Sequence, residues 1–201
     1  DFAVFVNNSG KEIWKSNSFK LASYDASSAL SGKSGGGIFT DANVPLSYLY
    51  SAPIRSSDGR IVGACIVGFD LASNDYLDGV NTGTGNQATL FAGDTRYSTS
   101  VKNSDGSRAT GMKMPENVKK TVIDNGEEYF GKADILGEEY FVCYRPLKNT
   151  NGEVIGAYFS GKPTAETNVA LGRIIFIVIA AEVVCVIIAG FIMVSFVATR
   201  V

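Results

Sequence analysis

The feature that most constrains the fold is a segment of sequence that occurs twice. Residues 53–64, PIRSSDGRIVGA, align without a gap with residues 146–157, PLKNTNGEVIGA. Each copy has two apolar runs on either side of an Asp-Gly or Asn-Gly dipeptide, which favours a turn with positive φ. Each copy is therefore predicted to be a β-hairpin. A chain that uses the same hairpin twice is expected to contain two similar folding units.

Weaker similarity extends both units. Residues 2–11 and 88–96 each combine an apolar strand, a short polar turn and the start of a second strand. A helix-like stretch follows in each unit, from Phe19 to Leu30 in the first and from Pro115 to Asn125 in the second, where a proline at the start and Gly126 after the end fit the rules for helix termini. Each unit is thus predicted to run strand-strand-helix-strand-strand-strand. The predicted fold class is α+β, with two antiparallel sheets under helical cover and the boundary between the units at 72–86.

A long apolar run lies near the C-terminus. Residues 174–198 read IIFIVIAAEVVCVIIAGFIMVSFVA, between Arg173 and Arg200. A helix of that length spans roughly 37 Å, more than the ~30 Å of a bilayer core. Its Ile, Val and Phe residues favour insertion by about 5–10 kcal/mol, against about 3 kcal/mol for Glu182. We predict a transmembrane helix at 174–199 after a juxtamembrane segment at 164–173. A buried core helix is the alternative, but the run has no polar face.

Composition excludes several classes of function. The chain has no histidine, which excludes histidine-based catalytic triads and metal sites. Its net charge of −2 offers no basic surface for nucleic acid. No nucleophile lies near a base, and no cysteines form a C-x-x-C pair; Cys65 and Cys143 are predicted as small buried thiols, with a bridge between them as the alternative. We predict no enzyme, no cofactor, no metal site and no nucleic-acid partner.

Several motifs are similar to a known family. They are Gly93-Asp94-Thr95-Arg96, VKNSDGSRATG at 101–111, YFGKADILG at 129–137 and Tyr144-Arg145-Pro146-Leu147. Together with the repeated hairpin, they resemble the tandem Cache sensing region of bacterial methyl-accepting chemotaxis proteins, over roughly residues 1–163. The resemblance implies two PAS-like lobes outside the cytoplasmic membrane: a membrane-distal lobe at 1–72, a connection at 73–86 and a membrane-proximal lobe at 87–163.

The resemblance also implies a function. Such receptors are homodimers of the inner membrane that signal the binding of a small molecule, here an organic acid or amino acid, across the bilayer. The chain begins at Asp1 without a Met or signal peptide, lacks the long N-terminal helix of the family and stops where a HAMP linker would begin, so we expect it to be truncated at both ends. The alternative is the sensory region of a transmembrane histidine kinase or diguanylate cyclase. A membrane-anchored enzyme and an adhesion stalk fit the sequence less well.

The candidate ligand site lies in the second unit. An anionic ligand requires a guanidinium or ammonium group and tyrosine hydroxyls on a partly enclosed sheet face. Strand alternation places Arg96 and Tyr97 on opposite faces, and Tyr140, Val142 and Tyr144 on one face. The predicted ligand-binding residues are Arg96, Tyr140, Tyr144, Lys132 and Arg108. The alternative is that the cations are surface charges and the tyrosines belong to the core edge. A second pocket in the first unit would use Trp14, Tyr48, Tyr50 and Asp70, and the choice of lobe stays open.

Overall fold

The first half of the chain forms an antiparallel sheet of five strands. The computed structural model describes residues 2–16, 21–165 and 172–182. The strands lie in the order β2-β1-β5-β4-β3, so the last strand of the unit lies at the centre of the sheet. The elements of this unit are β1 (Phe2–Asn7), β2 (Glu12–Lys15), α1 (Ser27–Leu30), β3 (Gly35–Phe39), β4 (Ser47–Arg55) and β5 (Ile61–Asp70).

The second half repeats this arrangement. Its strand order, β7-β6-β10-β9-β8, is that of the first sheet with each strand replaced by its counterpart, and every pairing is antiparallel. The predicted α+β class and the predicted order of elements within each unit are confirmed. The elements are β6 (Gln87–Ala92), β7 (Thr95–Thr99), α3 (Glu116–Lys119), a π-helical turn (Lys120–Asp124), β8 (Tyr129–Ile135), β9 (Glu138–Lys148) and β10 (Val154–Pro163).

The repeated sequence forms the same hairpin twice. The predicted positive φ occurs at Gly59 (87°) and Gly152 (85°), and in each loop this glycine donates its N–H to the carbonyl oxygen three residues earlier, at 2.9 and 3.0 Å. Both hairpins also carry an irregularity in register next to the turn, between Ile54 and Arg55 at the end of β4 in the first and between Val154 and Gly156 at the start of β10 in the second. The two segments therefore match in backbone conformation as well as in sequence.

One predicted helix differs from the structure, and one helix was not predicted. The helix predicted from Phe19 is confined, in the described part of that stretch, to Ser27–Leu30, because the Asp41 carboxylate accepts the N–H groups of Ala22 and Ser23 at 3.0 and 3.2 Å and holds them outside a helix. The connection at 73–86, for which no element was predicted, is largely helical. It contains helix α2 (Asp75–Thr84), which ends at Gly85 with a φ of 72°.

Three apolar clusters hold the described chain together. The first two fill the inner faces of the two sheets beneath α1 and beneath α3 with its π-helical turn. The third joins the two halves: Leu77 of α2 packs with Leu46 from the first unit and with Ala88 and Leu90 on the outer face of the second sheet. Helix α2 is therefore part of the packing between the sheets.

The C-terminal prediction is only partly covered by the structure. Residues 172–182 are helical, and the side chains of 174–179 are exposed. Residues 183–199 of the predicted span lie outside the described residues. Within the ranges that the structure describes, no helix has both the length and the apolar character needed to cross a bilayer.

The central strand of each sheet requires glycine at the repeated Gly-Ala step. A Cβ on Gly156 would lie 2.0 Å from the Phe91 carbonyl oxygen, and one on Gly63 would lie 2.2 Å from that of Val6. We expect Gly156→Ala to reduce the free energy of unfolding by about 1–3 kcal/mol, as overpacked sites do. That corresponds to a fall in Tm of about 2–12 °C for a chain of this size.

Gly35→Ala is the matched control, because Gly35 also lies in a strand and a Cβ there would meet no atom within 4 Å. Its Tm in a thermal melt should match that of the unaltered chain. Equal Tm values for Gly156→Ala and Gly35→Ala would contradict the close approach of the two backbones.

Candidate functional site

A small cavity lies under the inner face of the second sheet. Its volume is about 100 Å³, and its wall is formed by the sheet, by the loop that precedes α3 and by the β8–β9 turn. The lining residues are Phe91, Arg96, Met112, Lys113, Met114, Pro115, Asp134, Ile135, Leu136 and Tyr144. Most of these side chains are apolar, and two of the five predicted site residues are among them.

Arg96 is buried, with only 8% of its surface exposed. Strand alternation on β7 turns its side chain inward, as predicted, and the backbone of Arg96 is bonded to the loop: its N–H donates to the Met112 carbonyl and its own carbonyl accepts from Gly111, both at 2.8 Å. The side chain uses Nη1 for the Ala109 carbonyl oxygen at 3.2 Å and for the Met112 sulfur at 3.8 Å. The same loop therefore fixes both the strand and the guanidinium.

The other edge of the Arg96 guanidinium makes no hydrogen bond to the described part of the chain. Nε is buried without a hydrogen-bond partner, and Nη2 has none among the described residues. No carboxylate in the described part of the chain forms an ion pair with Arg96. Burial lowers the pKa of this guanidinium, and the interaction with Tyr144 opposes that shift. Because Nε and Nη2 donate in the same direction, this edge matches the two oxygens of one carboxylate.

Tyr144 places a phenol next to this cation. Its ring packs in the core against Phe91 and Phe159, with centroids 5.9 and 5.0 Å away, and meets Tyr129 edge-on at 6.1 Å. Burial raises the pKa of Tyr144 to about 12, while the charge of Arg96 acts in the opposite direction. The phenol therefore stays protonated at physiological pH, and no group in the described ranges hydrogen-bonds to it. It is available as a neutral donor.

Tyr140 lines a different cavity. Val142 and Tyr144 share its face of β9, as predicted, but the hydroxyl of Tyr140 donates to Glu138 at 3.0 Å. Tyr140 borders a neighbouring polar cavity of about 390 Å³. Ile135 and Leu136 line both this cavity and the Arg96 cavity. The structure therefore separates Tyr140 from the Arg96 cavity by the end of β8.

The two remaining predicted cations are engaged elsewhere. Lys132 lies on the outward face of β8, is 54% exposed, pairs with Glu139 at 2.9 Å and sits 5.3 Å from the Phe141 ring centroid. Arg108 forms a two-point ion pair with Asp78 of α2, with Nη1 at 2.6 Å, and donates to the Thr99 carbonyl at 3.0 Å. Of the five predicted residues, only Arg96 and Tyr144 meet at one cavity.

The sequence analysis missed the apolar wall of the site. Met112, Met114 and Leu136 border the cavity. Leu136 and Gly137 form the two-residue turn between β8 and β9 with φ values of 57° and 86°, and the Asp134 carboxylate accepts the Gly137 N–H at 3.0 Å. Positive φ at a leucine is strained, and such strain is common at ligand sites. The Leu-Gly dipeptide between two strands was the available signal for this turn.

Residues of the pocket predicted in the first unit line two separate cavities, both larger than the Arg96 cavity. Tyr48 and Tyr50 line one of about 470 Å³ on the outer face of the first sheet, without Trp14 and without any charged side chain. Asp70 lines another of about 600 Å³ between the sheets, and its carboxylate accepts the Tyr97 hydroxyl at 2.7 Å. Neither of these two cavities is lined by a buried cation with free donors, so the Arg96 cavity is the stronger candidate.

Sequence comparison identifies one family. The family described as single Cache domain 3 matches residues 70–173, just over half of the chain, including the whole second sheet and helix α2. No curated protein matches the sequence.

Solved structures of sensor domains are similar at low sequence identity. The ligand-binding domain of the Pseudomonas aeruginosa PAO1 amino acid chemoreceptor PctB, in complex with L-Arg, is 14% identical, with a TM-score of 0.41 over 86% of this chain and 69% of that one. The Vibrio cholerae LuxQ periplasmic domain is 13% identical, with a TM-score of 0.46 over 81% and 70%. The V. cholerae histidine kinase DctB sensor domain is also 13% identical, with a TM-score of 0.38 over 81% and 71%.

The Arg108–Asp78 pair gives a stability prediction with a defined pH dependence. The hydrogen bond from Arg108 holds the pKa of Asp78 below its usual value. A carboxylate with a lowered folded-state pKa stabilises the fold above its unfolded pKa of about 3.9 and loses that contribution as the pH falls through the folded value. We expect Asp78→Asn to lower stability by about 1 kcal/mol at pH 7. In denaturant unfolding, this difference from the unaltered chain should shrink progressively below about pH 4.

The double variant Asp78→Asn with Arg108→Gln is the control. Removing both partners should lower the free energy of unfolding by little more than removing one, because the pair acts as a unit. A stability difference that stays constant down to pH 2 would show that the ion pair is not its source.

Proposed function

The chain belongs to the single Cache domain 3 family, and we propose from this that it is the ligand-sensing region of a transmembrane chemoreceptor. Cache domains are sensory ligand-binding domains and not catalytic ones. The proposal therefore requires a binding site and a route by which its occupancy alters the rest of the receptor.

We propose two Cache lobes in tandem. Residues 1–72 would form the membrane-distal lobe, 73–86 the connection and 87–163 the membrane-proximal lobe. The family match covers the second unit. Support for extending the assignment to the first unit comes from its identical strand order and from the repeated hairpin, with positive-φ glycines at Gly59 and Gly152.

The proposed ligand is a small molecule with a carboxylate, an organic acid or an amino acid. The observation that carries this proposal is the buried Arg96 guanidinium, whose Nε and Nη2 edge has no acceptor among the residues that the structure describes. A buried cation without a counter-ion is energetically unfavourable, and a bound carboxylate would supply both the missing charge and the missing acceptors. Tyr144 would donate a further hydrogen bond. Lys132, Arg108 and Tyr140 would act outside this cavity.

The proposed route of signalling follows the last strand. The Tyr144 ring at the cavity packs 5.0 Å from that of Phe159 on β10. Strand β10 ends at Pro163 and continues into the juxtamembrane segment at 164–173 and the proposed transmembrane helix at 174–199. A shift of Tyr144 on ligand binding would therefore act on the strand that leads to the membrane. We propose that the sensing region lies outside the inner membrane and that the receptor acts as a homodimer.

The alternative output is that of a sensor histidine kinase or a diguanylate cyclase. The site and the route to the membrane would be the same in each case, because they depend only on the sensing region. The identity of the cytoplasmic domain in the full-length gene distinguishes these outputs from chemotaxis.

Arg96→Met tests the site. We expect carboxylate binding to be lost, while the Tm without ligand stays unchanged or rises, because the variant replaces an uncompensated buried charge with an apolar chain of similar length. In the unaltered chain, a carboxylate at about 100 times its Kd should add about 2.7 kcal/mol of stability and raise the Tm by about 5–11 °C. The measurement is a thermal melt of the full chain in detergent across a panel of organic acids and amino acids.

Arg145→Met is the matched control, because Arg145 is an exposed arginine on the outward face of β9 that pairs with Glu128 at 3.1 Å. It should retain the ligand response. Equal responses from Arg96→Met and the unaltered chain would refute the Arg96 site.

A further inference from the structure

We infer that the ligand of the Arg96 cavity is a short-chain monocarboxylate of about two to four carbon atoms. This inference rests on the proposed function, since it assumes that a carboxylate binds at Arg96. It is narrower than that function, because it selects one class among organic acids and amino acids by the size, lining and charge of the cavity.

The size of the cavity sets the first limit. Its volume of about 100 Å³ is roughly three times the ~30 Å³ that one water molecule occupies in the liquid. Sites for drug-sized ligands are about 300–1,000 Å³. Covalently bonded atoms pack more closely than separate waters, so the cavity accommodates a ligand of roughly four to six non-hydrogen atoms. Acetate, propionate and butyrate fall within that range.

The lining sets the second limit. Apart from the guanidinium and the phenol, the inner wall is formed by Phe91, Met114 and Ile135, all buried and apolar. With the carboxylate on Arg96, the rest of the ligand would contact these groups. An apolar tail gains from that contact, whereas a second polar group there would lose its hydration without a protein partner.

The charges at the rim set the third limit. Lys113, the other cation that lines the cavity, is bound to Asp94 at 3.0 Å and is not free for a second carboxylate. Asp134 also lines the cavity, at the exposed end of β8, and would repel a second negative charge. The site therefore contains one available cation edge and one acidic group, an arrangement that disfavours dicarboxylates.

Asp134 also defines the competing class. A carboxylate near the bound ligand would attract an ammonium group, so glycine and alanine are the small amino acids that the site must be tested against. Asp134→Asn separates the two classes, because the amide oxygen can still accept the Gly137 N–H that Asp134 accepts now. The variant removes the charge and keeps the turn.

The experiment is calorimetric titration of the full chain in detergent with acetate, propionate, butyrate, hexanoate, succinate, glycine and alanine. We expect propionate or butyrate to bind at least tenfold more tightly than hexanoate, succinate, glycine or alanine. Asp134→Asn should leave propionate binding unchanged or tighten it by about two- to fivefold, the range for an exposed charge pair.

Met112→Ala tests the size limit separately, because Met112 lines the cavity while 44% exposed, so its truncation is expected to leave the fold intact. A wider cavity should move the preference toward hexanoate, by about tenfold relative to propionate, since one methylene in an apolar pocket changes selectivity by about that factor or more.

Three results overturn the inference while leaving the proposed function in place, provided that Arg96→Met abolishes the binding. The first is tightest binding by succinate, and the second is tightest binding by hexanoate. The third is tightest binding by glycine or alanine that is lost in Asp134→Asn. Binding of none of the seven compounds, or binding that survives Arg96→Met, overturns both the inference and the Arg96 site.

Discussion

At the centre of each sheet, a backbone carbonyl oxygen of one strand lies directly against a glycine of the next. The two strands can pair there only because glycine has no side chain. In both units, the final strand returns to the middle of the sheet and pairs with the first strand, and Gly63 and Gly156 occupy positions at which a carbonyl oxygen of the first strand leaves no room for a Cβ. Any Cβ there would overlap a carbonyl group by more than an ångström. The strand order 2-1-5-4-3 and its counterpart therefore depend on the glycine of the repeated Gly-Ala step.

The repeated hairpin explains why so much of the fold was predictable. A positive-φ glycine and alternating apolar residues are local signals, and they identified the two hairpins and the sequence of elements in each unit. Helix α2 was missed because residues 72–86 were treated only as the boundary between the units. Asn74 before the helix and Gly85 after it were the available signals, and both now lie at its termini.

The candidate site was predictable only in part, for a physical reason. Strand alternation correctly placed Arg96 and Tyr97 on opposite faces of β7, and Tyr144 on the same face of β9 as Tyr140, because that periodicity is local. It carried no information on which loop or helix lies opposite each side chain. Arg108 pairs with a helix that was not predicted, and Lys132 with a neighbouring strand residue, Glu139. Convergence of distant residues depends on tertiary packing, which one strand pattern does not specify.

Strand β7 connects the proposed site to the rest of the chain on both of its faces. Arg96 points into the cavity, while Tyr97, the next residue, points to the opposite face and donates its hydroxyl to Asp70 at the end of β5. Thr99 on the same strand donates its N–H to Asn74 ahead of α2, at 3.0 Å. A small movement of β7 therefore acts on the first sheet and on α2 together.

In the proposed site, the unpaired charge of Arg96 would make this part of the sheet respond to a ligand. Among the described residues, no acceptor reaches the buried guanidinium edge, and the fold tolerates this unfavourable free energy because the surrounding loop, strand and aromatic core hold the side chain in place. A bound carboxylate would remove it, so ligand binding and the stability of this part of the sheet would be thermodynamically linked. A site whose cation was already neutralised by the protein would gain less from the ligand. The same unsatisfied group that makes this part of the sheet less stable would therefore let a small bound anion alter it.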